Sequence, residues 1–216
     1  DLSLVRQMTR AISGSPAHLF PVADTVAWRI ASRQRERTSA SNPPHGVVMH
    51  YWLKDEVKTP VTLEIRDAQG RVVKTLKSEP PPAWGIDDDP KAEDDRKGDL
   101  TRDKGLNRAV WTLSWEGATP IARAKIDLGS PFAGATAVPG RYTAVLTVDG
   151  TSFERPFVIT QDPRVTVTDK ELSEQVTFSL SIRDEVTRLG RLVDDIRHVR
   201  GQVAAAQQAL DQALAR

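Results

Sequence analysis

The spacing of apolar residues changes once along this chain, near Thr168, and that change constrains the fold more than any other feature. Between Val26 and Thr160, apolar and polar residues alternate in short runs, which is the pattern of strands with one buried face. From Thr168 onward, apolar residues recur every three or four positions, as on an amphipathic helix. The sequence therefore predicts a mainly β chain with a C-terminal α-helical extension.

About seven short runs of strand character precede the helix, and turn signals separate them. Asp149-Gly150 is typical of a two-residue hairpin turn, because Gly tolerates positive φ. Trp111 and Trp115 lie on one face of their run and are predicted to be core residues. This pattern predicts an immunoglobulin- or fibronectin type III-like antiparallel β-sandwich. The predicted strands cover residues 26–30, 47–53, 61–66, 72–76, 107–115, 141–148 and 151–160.

These patterns divide the chain into three parts. Residues 1–24 hold scattered apolar positions without a clean period and are predicted to form a linker. Residues 25–165 are predicted to form the β-sandwich domain, with a charged loop at 85–104. Residues 166–216 form the helical tail, which Thr168-Asp169-Lys170-Glu171 opens with the spacing of a capping box. Since the chain lacks an initiator Met and stops in mid-helical pattern, we expect both ends to be cuts through a longer polypeptide.

The tail carries an apolar stripe that needs a partner, because an amphipathic helix draws most of its stability from burying that stripe. The sandwich, a helix beyond Arg216 or a second copy of the chain would each supply one. We expect the distal part of the helix to project and to meet another helix. The candidate interface residues are Ile182, Val186, Leu189, Val193 and Ile196, and Val199 and Val203 continue the stripe.

Composition disfavours several classes of partner and site. Lys and Arg number 30 against 29 Asp and Glu, so the net charge of +1 gives no electrostatic case for nucleic acid or anionic membranes. The absence of cysteine removes disulfides, thiolate metal sites and cysteine nucleophiles. No apolar run reaches the roughly 18 to 20 residues that span a bilayer. We therefore predict no nucleic-acid partner and no membrane span.

The titratable residues assemble no recognisable catalytic or cofactor site. The four histidines lack paired metal-ligand spacing, and no hydrolase motif is present, so we predict no catalytic, cofactor-binding or metal-binding residue. The acidic segment 85–99 raises calcium as an alternative, since a hard cation takes six to eight oxygen ligands. Its spacing fits no EF-hand, and Lys91, Arg96 and Lys97 would compete for the carboxylates. A solvated, mobile loop over 85–104 is the favoured interpretation.

Trp84 is the candidate contact residue of this sequence. Four of the five tryptophans fall within predicted strands, at alternating positions that suit burial in a core. Trp84 instead follows three prolines and an alanine in a predicted loop. An exposed aromatic ring there would contact a glycan or a neighbouring domain.

Several segments together resemble a known family. They resemble, in order and rough spacing, the C-terminal region of bacterial sortilin-like BNR-repeat β-propeller proteins, which are often labelled glycosyl hydrolases. Two further segments near the N-terminus look like the exit from the last propeller blade. The segments that carry the resemblance are 42–48, 51–54, 105–111, 138–143 and 161–165, with 4–9 and 17–20 at the propeller exit.

The resemblance implies an immunoglobulin- or fibronectin-like sandwich with a helical extension, joined to a β-propeller in a secreted or periplasmic cell-envelope protein. Residues 1–24 would then be the exit from that propeller. Catalytic residues of the parent would lie on the propeller, and its Ser-x-Asp-x-Gly-x-Thr-Trp signature is absent here. We expect a non-catalytic accessory domain that docks on the propeller and self-associates through its helix. The alternative is a carbohydrate-binding module that uses Trp84 and calcium to target a glycoside hydrolase to polysaccharide.

Overall fold

The computed structural model describes residues 3–28, 44–80, 98–121, 124 and 133–214. Within this part of the chain, short helices precede two β-sheets, and one long helix follows them. The protein is therefore mainly β with a C-terminal helical tail, as the sequence predicts. The elements are α1 (Ser3–Gln7), α2 (Arg10–Gly14), β1 (Ala17–Leu19), β2 (Thr25–Ala27), β3 (Val47–Leu53), β4 (Thr62–Asp67), β5 (Val72–Lys77), β6 (Gly105–Trp111), β7 (Gly140–Val148), β8 (Thr151–Gln161) and α3 (Asp169–Leu214).

The strands form a three-stranded sheet in the order β1-β3-β6 and a five-stranded sheet in the order β2-β8-β7-β4-β5. All neighbouring strands in these sheets run antiparallel except β2 and β8, which are parallel. We call the two sheets and their connections, residues 17–162 where described, the β-domain. Each predicted strand has a counterpart here, although β2 ends at Ala27 and residues 29–30 lie outside the described part.

Both sheets contribute to one buried core. Met49 and Trp111 come from the three-stranded sheet, and Leu63 and Leu146 come from the five-stranded sheet; all four are almost fully buried. Burial of one large apolar side chain contributes roughly 1.5 to 3 kcal/mol, so this core is the main source of stability of the β-domain. The predicted burial of Trp111 and Trp115 is confirmed.

The strand predicted over 107–115 ends early. The backbone at Leu113 gives the reason, because its φ of 59° interrupts the extended conformation that a strand requires. Leu113 and Trp115 remain buried, and Trp115 donates its backbone N–H to the carbonyl oxygen of Ala135. The segment after β6 therefore keeps its core contacts while leaving the sheet.

The N-terminal linker predicted over 1–24 is shorter in the structure. Ala17–Leu19 pairs antiparallel with the end of β3, and Leu19 and Phe20 are fully buried. A run of three residues is too short to show period-2 alternation, so the sequence pattern did not indicate this strand. Helices α1 and α2, which the pattern also did not indicate, are five residues each.

The backbone at the start and end of β7 has specific anchors. Tyr142, near the start of the strand, donates its hydroxyl to the carbonyl oxygen of Val138 at 2.6 Å, and its ring lies 5.4 Å from the Trp111 ring. At the other end, Asp149 and Gly150 have φ values of 47° and 77°. Positive φ at both central residues is the type I′ geometry of a two-residue hairpin, which confirms the predicted β7–β8 turn.

The charged loop predicted over 85–104 is anchored in its last part. Residues 85–97 lie outside the described part of the chain, so the structure tests the prediction only from residue 98. Leu100 is buried and donates its N–H to the carbonyl oxygen of Lys77, and the Tyr51 hydroxyl donates to the carbonyl oxygen of Thr101. Residues 98–104 therefore belong to the β-domain, because Leu100 supplies the apolar anchor that a solvated loop would lack.

Candidate interaction surface on the C-terminal helix

The start of α3 is fixed by a reciprocal pair of hydrogen bonds. The backbone N–H of Thr168 donates to Glu171 Oε2 at 2.9 Å, and the backbone N–H of Glu171 donates to Thr168 Oγ1 at 3.3 Å. These bonds satisfy N–H groups that a helix leaves unpaired at its first turn. The backbone N–H and the hydroxyl of Thr168 both donate to the Glu171 carboxylate, which lowers the pKa of that carboxyl group. The capping box predicted at Thr168 is confirmed.

The connection between β8 and α3 is also held in place. The Asp162 side chain is buried, and Arg164 binds it through two nitrogen–oxygen contacts of 2.9 and 2.6 Å. Gln161 donates its side-chain amide to the carbonyl oxygens of Val165 and Val167, at 3.1 and 2.7 Å. Charge-assisted and paired hydrogen bonds of this kind restrict the backbone, so they define the direction in which α3 leaves the β-domain.

Trp28 belongs to this connection rather than to the core. Its side chain is 47% exposed, which contradicts the burial predicted for the tryptophans of the strands. The Arg164 guanidinium lies 5.4 Å from the centre of the indole, and His45 Nε2 lies 3.0 Å from the Trp28 carbonyl oxygen. The reason is position, because β2 is the edge strand beside β8 and ends one residue before Trp28.

One face of α3 packs on the β-domain. Val176 and Leu180 pack against the core, and Thr187 Oγ1 accepts a hydrogen bond from the backbone N–H of Thr119 at 3.1 Å. Every residue on this face is buried or half-buried. We call it the docked face, and it consists of Leu172, Val176, Leu180, Arg183, Thr187 and Gly190.

At Gly190, the backbone of α3 lies close to the β-domain. A Cβ atom at this position would lie 3.4 Å from both Ile121 Cγ1 and the Thr119 carbonyl oxygen. Gly in a helix interior costs about 1 kcal/mol relative to Ala, and here the close contact offsets that cost. Gly201, in the same helix, has no neighbouring atom within 4 Å, and the structure gives no reason for it.

The roughly opposite face of α3 is apolar and exposed. Successive helix residues are turned by about 100°, so residues spaced alternately by three and four share one side. Ile182 is 49% exposed and Val203 is 63% exposed. The other large apolar side chains on this side of α3 are also exposed. We call this surface the α3 seam, and it consists of Phe178, Ile182, Leu189, Leu192, Ile196, Val199, Val203, Ala206, Leu210 and Ala213.

The predicted stripe agrees with the α3 seam in part. Ile182, Leu189 and Ile196 lie on it, and Val186 is an exposed residue beside it. Val193 is half-buried instead, and Leu192 occupies the seam. The difference arises because the seam advances by three residues from Leu189, whereas the prediction advanced by four. That these side chains form an interface stays a prediction.

The remaining candidate sites are separate from α3. Trp84 and the acidic segment 85–97 lie outside the described residues, so glycan and calcium binding there stay predictions. Among the residues that the structure describes, no group of three or more His, Asp or Glu side chains could hold a metal ion. Burial lowers the pKa of His18 and of His50, and Arg155 and Arg108 respectively lower them further.

Comparisons with known proteins do not assign the chain to a family. No protein-family model matches it, and a search of the curated proteins found no match. The resemblance to sortilin-like BNR-repeat proteins therefore rests on the sequence segments alone. None of the helices in the described part combines the length and apolar character that a bilayer crossing requires. The geometry of α3 is consequently the strongest guide to function.

Proposed function

We propose that this chain is a non-catalytic interaction module, in which the β-domain holds α3 along its docked face and α3 presents its seam to a protein partner. The observation that carries the proposal is the exposure of the apolar α3 seam along most of the helix. Soluble proteins rarely expose large contiguous apolar patches, and those that do use them as interaction sites. Burial of each large side chain would contribute roughly 1.5 to 3 kcal/mol, so a complex that buries the seam would be substantially stabilised.

We infer that the β-domain is an immunoglobulin- or fibronectin type III-like sandwich. The order β8-β7-β4-β5 resembles the G-F-C-C′ sheet of such domains, and the first two strands divide between the sheets. Tyr142 supports the inference, because its hydroxyl binds the carbonyl oxygen of Val138 four residues upstream, at the start of the penultimate strand. This is the position of the tyrosine corner in these folds. Such a domain would serve as a rigid base for α3.

We further propose that the module is an accessory domain of a larger secreted or periplasmic BNR-repeat propeller protein, and that it docks on that propeller. The support is the sequence resemblance, including segments 4–9 and 17–20 at the propeller exit. Carbohydrate binding through Trp84 has no supporting observation among the described residues and stays an alternative prediction.

The proposed function is tested by adding charge to the α3 seam. In the double variant Leu189→Asp/Leu192→Asp, two neighbouring seam side chains become carboxylates. Burying these charges against an apolar partner surface has a high free-energy cost. The matched control, Ala204→Asp/Gln208→Asp, adds the same charge to exposed positions of α3 outside the seam. Sedimentation velocity and circular dichroism would compare the two variants, alone and mixed with the separately produced propeller segment.

We expect the seam variant to lose association and helicity while the β-domain stays folded, and we expect the control to behave like wild type. If the seam variant retains the sedimentation coefficient and the helicity of wild type in every mixture, the seam is not an interaction surface. The proposal would then fail.

A further inference from the structure

We propose that the occupant of the α3 seam is the α3 seam of a second copy of this chain, and that the two helices pair in parallel and in register as a coiled coil. The inference rests on the proposed function, since it assumes that the seam is an interaction surface. It adds the identity of the partner, the direction of the two helices and the residues that specify their pairing.

The α3 seam follows a heptad repeat. When Ile182 is placed at position a, the a and d positions from residue 178 to residue 213 are apolar except for Glu185. Sustained apolar a and d positions over five heptads are typical of coiled coils. Ile182, Ile196 and Val203 are β-branched residues at a, a preference of two-stranded parallel coils. The repeat therefore favours a second helix of the same kind as the occupant.

The β-domain leaves the α3 seam open to such a helix. The docked face uses the b, e and f positions of the same heptad, and its only e residue, Leu172, precedes the seam. Positions b and f point away from a coiled-coil partner. Two chains can therefore pair through their seams while each β-domain stays on the outer side of its own helix.

One pair of charged residues beside the seam is complementary between two copies. In parallel coiled coils, a residue at g faces the e residue of the next heptad on the other helix. Asp195 occupies g and Arg200 occupies e, and both lie on the exposed part of α3. Asp195 would face Arg200 of the partner subunit, and twofold symmetry would form this ion pair twice.

The direction of pairing follows from the apolar positions. In parallel register, each apolar a or d residue meets its own copy. An antiparallel register that sets Leu189 opposite Leu192 of the partner subunit, and so brings Arg188 near the partner's Asp195, would set Leu210 opposite the partner's Glu171. That arrangement opposes charge to apolar surface and leaves the distal seam without a matching partner. The antiparallel register that aligns the whole seam, with Leu210 opposite the partner's Phe178, would set Asp195 beside the partner's Asp195, so the parallel register is favoured.

Glu185 occupies the d position between Ile182 and Leu189, where it interrupts the α3 seam, and it would meet Glu185 of the partner subunit. Arg188 binds Glu185 within the same helix at 2.7 Å, which reduces the repulsion between the two carboxylates. A single polar layer lowers the stability of a coiled coil and helps to specify its register.

Disulfide trapping tests the register directly, because the chain has no native cysteine. Ala206 occupies a d position, so Ala206→Cys would place two thiols side by side across a parallel, in-register pair. The matched control is Gln208→Cys, at an exposed f position two residues further along. Both full chains would be oxidised gently and analysed on non-reducing gels, alongside sedimentation equilibrium of wild type.

We expect wild type to sediment as a dimer, and we expect Ala206→Cys to cross-link at least about tenfold faster than Gln208→Cys. Asp195→Lys and Arg200→Glu should each weaken the dimer roughly threefold, and the double variant should restore it.

Two results would overturn the inference in distinguishable ways. A wild-type dimer that is disrupted by Leu189→Asp/Leu192→Asp, without preferential cross-linking of Ala206→Cys, would exclude the parallel register and leave the proposed function intact. A wild-type monomer at every accessible concentration would exclude a second copy as the partner. The proposed function would then be tested by mixing the chain with the propeller segment, since Leu189→Asp/Leu192→Asp should weaken that association if the seam is an interaction surface.

Discussion

The two halves of α3 carry the same apolar seam but have different surroundings. Up to Gly190, the helix rests on the β-domain through its docked face. From residue 191 to residue 214, every described side chain except Val193 is exposed. In proteins, most of the stability of a helix comes from packing its amphipathic face against a partner. The first half is therefore stabilised within the chain, whereas the second half depends on a partner for the α3 seam.

The largest expected effect comes from removing the base on which the first half rests. Trp111→Ala would empty the centre of the core, where the indole also donates a hydrogen bond to the carbonyl oxygen of Ser114 at 2.8 Å. We expect a loss of about 3 to 5 kcal/mol in the free energy of unfolding, measured by chemical denaturation. Hydrogen exchange should then show loss of protection along the docked half of α3.

The matched control for this variant lies on the same strand. Leu106 is half-exposed, so Leu106→Ala should cost less than about 1 kcal/mol. Equal effects of the two substitutions would contradict the assignment of the core to Trp111.

Substitutions at the two glycines of α3 give the next largest effects, and they should differ in sign between its two halves. Gly190→Leu would place a side chain where a Cβ atom already meets Ile121, so we expect a loss of about 1 to 3 kcal/mol. Gly201→Leu lies in open space and should stabilise the distal helix by about 0.8 to 1 kcal/mol. Thermal unfolding followed by circular dichroism would measure both. Changes of the same sign would show that the two halves do not differ as described.

Replacing Glu185, which interrupts the α3 seam, should strengthen association. Glu185→Leu would replace an exposed carboxylate with the residue type that d positions favour. We expect dimerisation to tighten by at least about tenfold, or roughly 1.4 kcal/mol, in sedimentation equilibrium. Asp184→Leu, on the neighbouring exposed position, removes the same charge outside the seam and should leave the affinity unchanged. An effect of Asp184→Leu as large as that of Glu185→Leu would indicate a general charge effect.

The smallest effect concerns the β-domain alone. Tyr142→Phe would remove the hydrogen bond to Val138 and should cost about 0.5 to 1.5 kcal/mol without altering association through the α3 seam. Burial raises the pKa of Tyr142 to about 12, with a further contribution from Asp67. Because this folded-state pKa exceeds the ordinary value of about 10, the stabilisation is present below pH ~10 and is lost as the pH rises towards about 12.

Denaturation at several pH values would measure this dependence. Wild type should lose stability more steeply than Tyr142→Phe above pH ~10, and some slope should remain in the variant, because burial also raises the pKa of Tyr51. Parallel pH profiles for the two proteins would contradict the role given to the Tyr142 hydroxyl.

The elements that local patterns specify were predictable from the sequence. Period-2 alternation indicated β3 to β8, Asp149-Gly150 indicated the β7–β8 turn, and Thr168 with Glu171 indicated the start of α3. Strand β1 was missed because three residues show no period, and its partner β3 is distant in sequence. The positive φ of Leu113, which ends β6, has no signal in the residue itself.

The candidate surface was only half predictable. The apolar spacing located the seam closely enough to identify Ile182, Leu189 and Ile196, but it selected Val193 in place of Leu192. The docked face could not be predicted, because part of its contact with the β-domain comes from a hydroxyl at Thr187 and a close backbone approach at Gly190. Such contacts depend on tertiary position and leave no apolar period in the sequence.

Hydrogen exchange of α3 at two protein concentrations, one below and one above the dimerisation midpoint, tests the central claim most directly. We expect the amides of the docked half, up to residue 190, to be protected equally at both concentrations. We expect the amides from residue 191 to residue 214 to gain protection as concentration rises, because pairing of the α3 seam stabilises that half. Protection of the distal half that is independent of concentration and of added propeller segment would contradict the account.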